Sequence, residues 1–229
     1  MTIFEKEQKE WCKAHSEGYF GNDYLGTFQK HLVDKNHHDF LFDKMGLQSS
    51  EDRNFSGFFD FKSVCETWNI LEIGCGYGLL SIPFLGITKQ YSGIDIVEKT
   101  VEFGNSIYKE LNIPNAKLFV ATEVMLDIFD DASFDFIFAE NVFIHTPPEI
   151  TKKYLCQISK KLKSKGKFLV LINMKYKGEG IHGNATESYT ILEYEELFKN
   201  TGLKILETLD ERDYFAENQR GLHIYGELE

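Results

Sequence analysis

No two of the four cysteines (Cys12, Cys65, Cys75 and Cys156) stand in Cys-x-x-Cys spacing, and none has a histidine at a zinc-binding interval. That argues against a disulfide scaffold and a zinc module, and it predicts reduced thiols in a cytoplasmic protein with no metal. The chain is also short of cations, with 25 Lys and Arg against 36 Asp and Glu, a net charge of −11. A surface of that sign works against lying along a phosphate backbone, so nucleic acid is not an expected partner. No stretch approaches the ~20 apolar residues of a membrane span. Residues 1–13 are charged throughout and hold no apolar run of signal-peptide length. His31, His37 and His38, with Asp34 and Asp39 beside them, match no recognised zinc spacing and read as a solvated helix end.

What remains is a chain of 229 residues whose hydrophobic fraction of 42% suffices for one core. Residues 1–65 read as an N-terminal helical extension, with apolar spacing for helices near 4–11, 25–33 and 40–45. Residues 66–229 read as a single globular domain. Within the extension, residues 18–24 join turn formers to aromatics, so Tyr19 and Tyr24 are candidates either for a lid over a ligand or for packing between helices.

From Asn69 onward, strand and helix patterns alternate. Strands are predicted at 69–73, 91–96, 117–121, 134–138 and 167–172, with helices starting near 79 and spanning 101–111 and 146–162. The lysines Lys160, Lys161, Lys163 and Lys165 suit the negative end of the last of these helices. Thr190 and Glu193 form a capping-box pattern that opens one more helix, and strands near 203–208 and 221–226 close the chain as an antiparallel pair. The order predicts an α/β fold, a doubly wound, mostly parallel seven-stranded sheet with an antiparallel last strand.

The chain is organised around Asn69-Ile70-Leu71-Glu72-Ile73-Gly74-Cys75-Gly76-Tyr77-Gly78. Glycines at alternate positions after a buried strand let the backbone take positive φ and let a ligand approach without meeting a Cβ. The dinucleotide fingerprint G-x-G-x-x-G needs a small residue where this chain has Leu79. The spacing here is E-x-G-x-G-x-G, which resembles the first motif of the class I S-adenosylmethionine-dependent methyltransferases. Phe-Asp-Phe-Ile-Phe-Ala-Glu-Asn-Val-Phe-Ile-His-Thr-Pro-Pro-Glu (134–149) and Leu-Lys-Ser-Lys-Gly-Lys (162–167) resemble the fourth to fifth strands of that family's small-molecule members, as does the antiparallel ending. The resemblance runs from about 68 to 227.

It implies a Rossmann-like methyltransferase fold and S-adenosylmethionine as cofactor, with S-adenosylhomocysteine as product. Glu72, Gly74, Gly76 and Gly78 would serve the methionine part, Asp95 the ribose hydroxyls and Ile96 the adenine. Glu123, in a Thr-Glu pair where the family commonly has Gly-Asp, and the Val124 backbone would meet the ring, and Glu140 joins the cofactor residues. Methyl transfer needs alignment and, for a hydroxyl acceptor, removal of a proton. His145 is the candidate base, or else a residue that shapes its loop, while His182 and Asn184 are candidate substrate contacts. The resulting reading is a methyltransferase of a small polar acceptor, a hydroxyl of a sugar or sugar-linked intermediate. The alternatives are an N-methyltransferase of a small amine and a non-catalytic cofactor-binding regulatory subunit.

Overall fold

The computed structural model describes residues 66–82, 84–85, 88–122, 126–174, 189–211 and 220–229. The N-terminal extension with Tyr19 and Tyr24, and also Glu123, Val124, His182 and Asn184, lie outside the described residues. Seven strands form a sheet of order β3-β2-β1-β4-β5-β7-β6, which is the expected fold class. The chain divides into two compact units, one ending at residue 124 and the other resuming at residue 125.

In the first unit, β1 (Asn69–Ile73) is almost wholly buried and pairs in parallel with β2 (Gln90–Asp95), which pairs in parallel with β3 (Ala116–Val120). Between β1 and β2, where a helix was expected from Leu79, the described residues form only a 3₁₀ turn, Leu79–Ser81. Helix α1 (Glu98–Glu110) buries Thr100, Val101, Gly104, Ile107 and Tyr108, a stripe at three- and four-residue spacing. It ends where Asn112 takes positive φ, a conformation that asparagine tolerates. Asn105 on this helix donates to Leu118 O (2.9 Å) and accepts from Leu118 N (3.0 Å), so its amide completes backbone bonds on the outermost strand.

In the second unit, β4 (Phe134–Ala139) pairs in parallel with β5 (Leu162–Met174). β7 (Arg220–Leu228) runs antiparallel to both β5 and β6 (Leu203–Glu211), the ending that the sequence indicated. Helix α2 (Pro148–Lys161) starts one residue later than the capping pattern suggested, because Pro147 takes the cap position and the Thr146 hydroxyl is engaged with Thr151. The terminal lysines do more than face the helix dipole. Lys161 is 3% exposed and donates to Phe129 O and Asp131 Oδ1 (2.8 and 2.6 Å), and Lys163 pairs with Asp135 at 2.6 Å. Helix α3 (Ile191–Phe198) opens with the expected reciprocal cap between Thr190 and Glu193.

Gly104 makes a sharp test of this packing. A Cβ there would overlap Leu118 Cδ1 and lie 2.5 Å from Tyr77 O. Alanine is better than glycine in a helix by about 1 kcal/mol, but a backbone carbonyl cannot swing aside as a side chain does. Gly104→Ala is therefore expected to lower stability by a net ~1–3 kcal/mol, read from the urea midpoint. An unchanged or raised midpoint would show that the helix does not bear on the glycine loop.

Candidate functional site

β1 delivers the chain into the glycine loop with a single acid among apolar neighbours. Glu72 is 2% exposed, and the Tyr91 hydroxyl donates a hydrogen bond to its carboxylate. Burial, with Glu72 beside it, pushes the Tyr91 phenol well above its ordinary pKa, so it stays a donor. Glu72, expected among the cofactor residues, stands two residues before Gly74 near the end of β1.

Beyond Ile73 the three alternate glycines all have positive φ: 71° at Gly74, 54° at Gly76 and 82° at Gly78. The amides of Gly74 and Cys75 both donate to Ile94 O, at 2.8 and 2.9 Å, and Gly78 N closes a turn on Cys75 O at 2.8 Å. From below, the Tyr108 hydroxyl of α1 reaches Ser81 Oγ (2.8 Å) and Gly78 O (3.3 Å), and a Cβ at Gly78 would collide with that hydroxyl. Burial first, then Asp95 and Glu72, hold the Cys75 thiol well above its ordinary pKa. It packs as a buried thiol.

Asp95 ends β2 at the rim of this loop and is half-buried. One carboxylate oxygen accepts from Gly76 N and the other from Val97 N, both at 2.9 Å. The acid thus joins the loop to the start of α1. Ile96, next in the chain, is also half-buried.

Two more expected residues belong to the second unit. Glu140, directly after β4, is 5% exposed and is hydrogen-bonded to the Nε2 of fully buried His223 on β7. The reading of Glu140 as a cofactor residue did not foresee this partner, 83 positions away. His145 is half-buried and its backbone N–H donates to Val142 O at 2.9 Å. Burial lowers its imidazole pKa below the ordinary value. Among the described residues no cluster of three His, Cys, Asp or Glu is placed to hold a metal, and no helix is long and apolar enough to cross a membrane.

Gly93 and Gly104 are the functional-site residues that sequence reasoning missed. A Cβ at Gly93 would lie 2.7 Å from Cys75 and from Leu118, and one at Gly104 would strike the Tyr77 carbonyl. A lone glycine inside each pattern was the available signal.

The comparisons with known proteins agree with this geometry. A family described as a methyltransferase domain matches residues 70–166. An uncharacterized methyltransferase of Schizosaccharomyces pombe is 29% identical over 152 residues, which cover 62% of this chain and 50% of that protein. A sterol 4-C-methyltransferase of Caenorhabditis elegans is 28% identical over 107 residues, 47% of this chain and 31% of its own. The chain thus spans half or less of the curated relatives it matches. Among solved structures, geranyl diphosphate C-methyltransferase from Streptomyces coelicolor superposes with a TM-score of 0.68 at 12% identity, covering 100% of this chain and 98% of that one. Magnesium protoporphyrin IX methyltransferase from Synechocystis gives 0.65 at 13% identity, with the same coverage. In its glycine loop, its strand order and these matches, the chain is similar to the class I S-adenosylmethionine-dependent methyltransferases, whose fold it shares.

Proposed function

We propose that this protein is an enzyme that moves a methyl group from S-adenosylmethionine to a small-molecule acceptor. The observation that carries the proposal is the joining of three positive-φ glycines to Asp95 through the Gly76 amide. The cofactor fits this set of groups. Among the described residues a Cβ built on Gly76 meets nothing nearer than Thr100 Cγ2 at 3.9 Å, so the loop is uncrowded on that side, and a carboxylate such as Asp95 is the acceptor that ribose hydroxyls require. Bound there, the cofactor supplies an electrophilic methyl on a sulfonium. The glycines would admit its methionine part, Asp95 would fix the ribose, and Ile96 would border the adenine.

For the acceptor, our reading is a hydroxyl on a small polar molecule such as a sugar. Its support is His145, which burial keeps neutral at pH 7 and therefore able to take a proton. An amine acceptor would need no such base. A carbon acceptor is the second reading, favoured by the printed names of two of the proteins that this chain resembles, a sterol 4-C-methyltransferase and a geranyl diphosphate C-methyltransferase. Transfer from isotopically labelled S-adenosylmethionine, with the methyl located on the product by NMR, separates oxygen, nitrogen and carbon.

Asp95→Ala removes two charge-assisted hydrogen bonds to the cofactor and should weaken binding by about 2–4 kcal/mol. Calorimetry with S-adenosylhomocysteine on folded variant reads this directly. Undiminished affinity would take Asp95 out of the site.

If a hydroxyl is the acceptor, His145→Asn should lower kcat by about 10²- to 10⁴-fold with cofactor affinity unchanged. The active form is the neutral imidazole and its pKa is lowered. The acid limb of wild-type kcat should therefore fall below the ordinary histidine value of about 6.5, with full activity above it. An almost normal His145→Asn enzyme would refute the general-base role and leave a nitrogen or carbon acceptor.

A further inference from the structure

The segment 140–147 that carries His145 is held at both ends by buried polar side chains. At its start, Glu140 is paired with His223. At its end, three hydroxyls and a carbonyl meet in a closed cluster. The Tyr189 hydroxyl donates to Thr146 O at 3.2 Å and lies 3.0 Å from Thr151 Oγ1, which is 2.9 Å from Thr146 Oγ1. Tyr189 and Thr151 are completely buried. Tyr189 is itself fixed by its backbone N–H, which donates to Asn173 O at 2.8 Å near the end of β5. The cluster therefore ties the loop after β4 to the first turn of α2 and to the last residues of β5.

A buried phenol is costly relative to phenylalanine unless its hydroxyl is used. Here it is used on the residue next to His145. We infer that Tyr189 is a positioning residue for His145, acting through Thr146 to fix where the imidazole points and how deeply it is buried. The inference rests on the general-base reading of His145 given above. A base displaced by about 1 Å loses on the order of 10²-fold in rate, so a hydroxyl that only immobilises a loop can matter to turnover without touching substrate.

The test follows the His145 imidazole by NMR in the full-length chain carrying ¹³C-histidine, with S-adenosylhomocysteine added. Its resonance is assigned by its loss in His145→Asn. In the wild type it should titrate below about 6.5. In Tyr189→Phe, water should reach the freed loop, and because burial is what lowers the pKa, the titration should move up towards that value while S-adenosylhomocysteine affinity stays the same. Should Tyr189→Phe fail to fold, Thr151→Val and Thr151→Ser pose the same question with the tyrosine ring in place. Valine removes the hydroxyl and should shift the imidazole, whereas serine keeps it and should not. An imidazole that titrates identically in Tyr189→Phe, or equally in the two Thr151 variants, overturns the inference. A shifted imidazole together with a fully active His145→Asn enzyme would leave Tyr189 as a positioning residue and defeat only the general-base reading.

Discussion

The backbone of residues 74–78 is closely approached by its neighbours at Gly78, Cys75 and the Tyr77 carbonyl, and glycines in the loop and around it make that packing possible. On one side a Cβ at Gly93 would press on Cys75, and below, the Tyr108 hydroxyl occupies the place of a Cβ on Gly78. Gly104 lets α1 come against the Tyr77 carbonyl. Asp95 then draws the loop to the end of β2 through Gly76. Three elements thus meet on five residues, with positive φ at three of them. Only glycine adopts that conformation without strain at every such step. The loop conformation is held by packing, which at the proposed cofactor site would spare binding the cost of ordering the loop.

Within each unit, buried polar groups are matched to partners drawn from distant parts of the chain. Glu72 has Tyr91, Glu140 has His223, and Lys161 has Asp131 with the Phe129 carbonyl. An acid or amine in such places is tolerated only with its hydrogen bonds satisfied. The Glu72 and Glu140 pairs lie near the end of β1 and directly after β4, next to the glycine loop and the segment of His145, so support and chemistry there are hard to separate by burial alone.

What the sequence disclosed was local and periodic. The glycine loop was legible because alternate glycines after a buried strand have few other uses, and α1 because its buried residues recur every three or four positions. The capping box at Thr190 and Glu193 was legible for the same reason. The start of α2 was displaced because two successive prolines offered two cap positions, and the Thr146 hydroxyl was drawn to Thr151 while its carbonyl accepts from the Tyr189 hydroxyl, a contact across 43 residues. Gly93, Gly104, His223 and Tyr189 were not recognised, since each owes its role to a side chain or carbonyl that only tertiary packing brings near. The lysines after α2 looked like a response to the helix dipole and proved to include two ion-paired side chains.

The central claim is that the glycine loop and Asp95 form a site for S-adenosylmethionine and not for a dinucleotide. Calorimetric titration of the wild-type chain with S-adenosylhomocysteine and, separately, with NADH tests it most directly. The account predicts saturable binding of about one equivalent of S-adenosylhomocysteine per chain, as for one ligand site in one domain, and no heat of binding from NADH. Saturable binding of NADH, or a folded protein that takes up neither ligand, would contradict it.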